Sequence, residues 1–117
     1  MEHRNFTRVS YCECASVKHD DQAFFGDIEN VSLQGLFIKT PQKVPINTPV
    51  EITVYFSQSS SMYLNANVVR CEDTGLGIQI SKMDVNSFVH LRNAVSMHCN
   101  DQDILMRETF KVTSCIH

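Results

Sequence analysis

Two short stretches of this sequence carry most of its chemistry. Arg4-Asn5-Phe6-Thr7-Arg8 sets two guanidinium groups at a spacing of four, and Asn30-Val31-Ser32-Leu33-Gln34-Gly35 gathers polar side chains and a glycine ahead of the apolar run Leu36-Phe37-Ile38. An arginine fork donates two parallel hydrogen bonds to the O6 and N7 edge of guanine. It also pairs bidentately with phosphate and stacks on a flat π face. Asn30 and Ser32 offer oxygen acceptors suited to the N–H groups on guanine's other edge. Gly35 permits a positive φ and lets the backbone turn without a Cβ clash. Together the stretches offer the chemistry for a ligand holding both guanine and phosphate. Either stretch alone is ambiguous: an RxxxR pair is commonly a solvated charge pair, and asparagine, serine and glycine are ordinary turn formers.

The bulk composition sets the frame for such a site. A chain of 117 residues makes one domain with a single core. Its 43% hydrophobic and 20% charged content is that of a soluble globular protein. A net charge of −3 excludes a general DNA- or RNA-binding role, which needs a dominant basic surface, so any anion site must be local. No apolar run approaches the ~18 residues that a membrane span requires. The polar start Met1-Glu2-His3-Arg4-Asn5 lacks the apolar core of a signal peptide. Five cysteines, an odd number, suit free thiols in a reducing compartment. The expectation is a cytoplasmic protein with no membrane insertion.

The elements that must position the two stretches read mostly as strands. Residues 1–8 are expected as a polar arm, followed by a strand over Val9–Val17 that Glu13 interrupts on its apolar face. Lys18 to Asp21 is turn-like, and strands follow at Ala23–Glu29 and Leu36–Lys39, with Asn30, Ser32 and Gly35 in the turn between them. Pro41, Pro45 and Pro49 place a loop ahead of the alternating strand Val50–Phe56. Gln58–Ser61 closes a hairpin into Met62–Cys71, and Glu72–Gly75 turns into Leu76–Ile80. At Asp84 the period changes: Val85, Phe88, Leu91 and Val95 recur at helical spacing behind an N-cap residue, giving a helix to about His98. Asp101–Arg107 could form a short helix, while Thr109–Ile116 has strand-like content. Six strands and a helix predict an all-β fold, a six-stranded antiparallel barrel with the C-terminal helix covering one opening.

The order of the two motifs resembles that of the PilZ domain, a bacterial receptor module for cyclic di-GMP. That family carries RxxxR before the first barrel strand and [D/N]xSxxG between the second and third. Arg4 and Arg8 match the first motif; Asn30, Ser32 and Gly35 match the second. Gly35–Thr40 resembles the strand after the motif, and Val68–Ile78 the later hairpin. The resemblance covers about Arg4 to Val95, and it divides the chain into a PilZ domain at 1–100 and a tail at 101–117. Within the domain the arginine arm takes 1–8, the barrel 9–82 and the helix 84–98.

The resemblance implies the following roles. Arg4 and Arg8 clamp guanine edges and phosphates, Asn30 and Ser32 hydrogen-bond a guanine, Gly35 sets the turn, and Val9 begins the barrel and contacts a base. His3 occupies the position that bears on whether one ligand or a stacked pair binds. Asn30 stands where aspartate is common, exchanging a charge for a neutral amide. Cyclic di-GMP is then a ligand, with no cofactor and no catalytic residue. The output is an ordering of the arginine arm, read by an unidentified protein partner or by a homodimer. The competing expectation is a PilZ-like protein-interaction module that binds no nucleotide; a broken motif would favour it, and here both motifs are complete. A thiol enzyme or metal centre is disfavoured, because Cys12 and Cys14 form no CxxC pair and the five histidines no HxxxH pattern. The cysteines are expected to pack as small hydrophobes.

Overall fold

Alternation of apolar and polar residues produces seven strands: β1 (Val9–Ser10), β2 (Cys14–His19), β3 (Gln22–Val31), β4 (Gly35–Lys39), β5 (Pro49–Tyr55), β6 (Ser61–Cys71) and β7 (Gly75–Met83). The structure, a computed structural model, describes residues 6–55 and 60–116. Neighbouring strands run β3-β2-β5-β6-β7-β4, and β4 returns to β3, all antiparallel. The six strands β2 to β7 therefore close into a barrel, as expected, and closure removes the unpaired edges of an open sheet. Inward residues such as Ala15, Val17, Ile52, Val54, Leu64 and Leu76 are fully buried. The tip expected at Gln58–Ser61 falls largely on residues 56–59, outside the described residues.

The single strand expected over Val9–Val17 is two strands. Ser10 faces Asn30 and Cys14 faces Asp27, so four steps along one strand oppose three along β3. The extra residue is taken up as a bulge, with Tyr11 N donating to Glu29 O at 3.2 Å and Ile28 N donating to Glu13 O at 2.8 Å. The expected packing of the cysteines holds only for Cys99, which is partly buried against the core. Cys12, Cys14 and Cys71 are exposed, Cys99 and Cys115 partly so, and all five are free. On β2 the inward positions belong to Ala15 and Val17, which leaves Cys14 facing out.

β3 runs two residues beyond its expected end, so Asn30 lies in the strand and the turn is Ser32–Gln34. Pro49 likewise belongs to β5, at the first strand position, where a missing N–H is tolerated. Helix α1 (Val85–His98) starts where expected, with the Asp84 carboxylate accepting from Ser87 N at 2.7 Å. Its buried face is Ser87, Leu91, Ala94 and Val95, while Val85 is exposed. The reason is the Ser87 hydroxyl, which accepts from Tyr63 N of β6 at 2.9 Å and fixes the rotation of the first turn.

The last stretch differs most from expectation. Helix α2 (Gln102–Lys111) takes in the expected short helix and continues through Thr109, and Thr113–Cys115 forms one 3₁₀ turn. Asp101 caps α2 by accepting from Asp103 N and Ile104 N, each at 3.1 Å. Leu105, Glu108 and Val112 recur at helical spacing and are buried, which overrides the β-branched content read as strand. Ile116 makes a parallel bridge to Met83. The tail is thus packed into the core of its own domain. Among the described residues no helix is long and apolar enough to cross a membrane.

Candidate functional site

The β3–β4 turn is built by one hydroxyl. Ser32 Oγ accepts from Gly35 N at 3.1 Å and from Gln34 N at 3.3 Å, while Ser32 N donates to Gly35 O at 2.8 Å. Ile80 N donates to Gln34 O at 2.7 Å, which ties the turn to β7. Over this turn lies Arg8, the residue just ahead of β1, whose Nη1 donates to Asn30 Oδ1 at 2.7 Å. The register of β1 on β3, Val9 opposite Val31 and Ser10 opposite Asn30, brings the two sequence motifs together.

A cavity of about 160 Å³ opens beside them, with Phe6, Arg8, Gln34 and Gly35 on one side and Val69 and Gln79 on the other. Two bulges shape it. β3 carries Glu29 as an extra residue against β4, next to Asn30. β6 carries Val69 as an extra residue against β7, since Val68 faces Ile78 and Arg70 faces Gly77. Bulges re-aim side chains beside functional sites, and here one leaves Val69 partly exposed at the cavity. A larger depression of about 600 Å³ near Cys12 and Cys14 is lined by Glu13, Asp27 and Glu29 against a single Lys39. Its excess of carboxylates repels phosphate, so the arginine-lined cavity is the better anion site. Away from that cavity, burial first and the Glu13 carboxylate second push the Tyr11 phenol up to about 12.

The PilZ domain family model matches residues 2–96. This chain belongs to the PilZ domain family. Solved structures agree in fold. The PilZ domain of YcgR from Escherichia coli, solved with cyclic di-GMP, superposes with a TM-score of 0.67 at 13% identity over 97% of this chain and 98% of that one. The PilZ domain of CeSA from a cellulose-synthesizing bacterium gives 0.63 at 18% identity, covering 78% and 97%. The inhibitor of motility MotI/DgrA of Bacillus subtilis gives 0.67 at 9% identity over 83% of this chain, which spans about half (51%) of that protein.

Seen as a PilZ domain, the chain places its expected site residues unequally. Arg8, Asn30, Ser32 and Gly35 converge on one turn. His3 and Arg4 lie outside the described residues. Val9 begins β1 as expected, but its side chain is buried in the core. Ser32 is 2% exposed, so its hydroxyl shapes the turn. Gly35 has no positive φ; a Cβ there would lie 2.5 Å from Ile78 O and 3.4 Å from Arg8 Nη2, so close approach is what requires glycine. Phe6, Gln34, Val69 and Gln79 escaped the sequence reading. Two of them had a signal: Phe6 as an aromatic between two arginines, and Val69 as the second of two adjacent valines in a strand that otherwise alternates.

Proposed function

We propose that this chain is a receptor for cyclic di-GMP, binding it at the β3–β4 turn through Arg8, with Arg4 as the second arginine of the clamp. The observation that carries the reading is the Arg8 guanidinium seated at the turn against Asn30, beside an otherwise open cavity. Family membership supports it, as does the cyclic di-GMP solved with the PilZ domain of YcgR.

The geometry refines the chemistry expected of each group. With its Oδ1 engaged by Arg8, Asn30 has its amide N–H groups to offer a base, which suits the O6 and N7 acceptors of guanine. Arg8 supplies positive charge for phosphate and a flat guanidinium on which a base can stack. At about 160 Å³ the cavity is smaller than the roughly 300 Å³ of the smallest usual ligand pockets, so a cyclic dinucleotide rests across its mouth. Val69 and Phe6 then give apolar contact to the bases. Binding draws the Arg4 end of the arginine-bearing segment onto the ligand, and the altered surface is read by a protein partner or a second copy. The role is recognition and signalling, without catalysis.

Amide chemical shifts recorded during a cyclic di-GMP titration test the placement. The expected result is that Arg8, Gln34, Gly35, Val69 and Gln79 move together. Shifts confined to the depression around Cys12 and Cys14 would place the ligand elsewhere and contradict the proposal.

A further inference from the structure

Between the two arginines, Thr7 is fastened to the far end of the chain. Its backbone N–H donates to both carboxylate oxygens of Glu108 at 2.9 Å, and its hydroxyl donates to Oε2 at 2.8 Å. Glu108 lies on α2, between the fully buried Leu105 of the same helix and Val112 at its C-cap, and is itself only 5% exposed. A carboxylate in such surroundings is costly unless hydrogen-bonded, and hydrogen bonds to a charged acceptor are the stronger kind. Thr7 therefore has a strong reason to stay where it is.

The consequence falls on the next residue. Arg8 leaves the chain from a fixed point and reaches Asn30 at 2.7 Å, while Phe6, on the other side of Thr7, lines the cavity. Thr7 is one of the unspecified positions of the RxxxR spacing, and Glu108 lies outside both motifs.

We propose that Glu108 is a positioning residue for nucleotide binding: by holding Thr7 it presets Arg8 over the β3–β4 turn before the ligand arrives, and it makes α2 part of the binding apparatus. This role rests on the cyclic di-GMP reading above. A side chain ordered in advance does not have to be ordered by the ligand, so the effect is read in affinity.

The test is a calorimetric titration of cyclic di-GMP into the full chain and into Thr7→Ser, Thr7→Val and Glu108→Gln, each also melted without ligand. Thr7→Ser keeps the hydroxyl and binds like the parent. Thr7→Val and Glu108→Gln bind about tenfold more weakly while still melting cooperatively, the size expected when one preorganised side chain is loosened. Should Glu108→Gln fail to fold, the partly exposed Thr7→Val carries the comparison. A parent that binds, with a folded Thr7→Val equal to it in affinity, overturns the positioning role alone. A parent that takes up no cyclic di-GMP overturns the nucleotide reading, and this role with it.

Discussion

Gly35 shows how a position can require glycine for a reason other than the one its motif suggests. Its place in the motif suggested a turn requiring positive φ, yet among the described residues no glycine has one. The constraint is tertiary: β4 lies against β7 so closely that a Cβ would press on the Ile78 carbonyl. Gly35→Ala should cost about 1–3 kcal/mol, the usual range for overpacking a tight contact. Urea denaturation measures it, and a variant as stable as the parent would show that the two strands separate easily. The same division runs through the other site residues. Side-chain type and the order of the two motifs, read with the PilZ resemblance, picked out Arg8, Asn30, Ser32 and Gly35. They could not tell that the Ser32 hydroxyl belongs to the turn, or that Asn30 meets Arg8 through its oxygen. Those facts depend on which strand lies next to which.

At the scale of elements, period two and period 3.6 were legible wherever the pattern was uninterrupted. β5 and the Asp84 cap of α1 could be read in this way, while β3 and β4 were read from β-branched and aromatic content and β2 only as part of a longer strand. Bulges were not legible, since one extra residue changes no side-chain type but moves every later pairing. Both bulges at the site, at Glu29 and Val69, arise so, and Val69 reaches the cavity for that reason. The tail was half legible: Asp101–Arg107 read as a possible short helix, but Phe110, Val112 and Thr113 suit a strand locally. The Asp101 cap and the buried Leu105, Glu108 and Val112 decide for helix. If α2 belongs to the core, Leu105→Ala should cost about 2–5 kcal/mol, as large-to-small core changes do. Chemical denaturation gives the figure, and a loss below about 1 kcal/mol, the range of surface changes, would make the tail peripheral.

For the whole molecule, a net charge of −3 and a closed barrel bear together on function. An acidic protein does not gather polyanions generally, so the proposed recognition of a ligand with two phosphodiester groups would depend on a few arginines held in place. Among the described residues closure leaves only the two-residue β1 with a free edge, so under the proposed function a signal would pass through side-chain surfaces and the segments around the site. The central claim is that Arg8 holds cyclic di-GMP at the β3–β4 turn. The most direct test is calorimetric titration of cyclic di-GMP into the parent and Arg8→Ala, repeated as salt is raised from about 0.1 M to about 1 M, where the screening length falls from about 10 Å to about 3 Å. The parent should release heat and bind more weakly as salt rises, and Arg8→Ala should show no measurable binding. Equal heats from parent and variant, or none from the parent, would contradict the account.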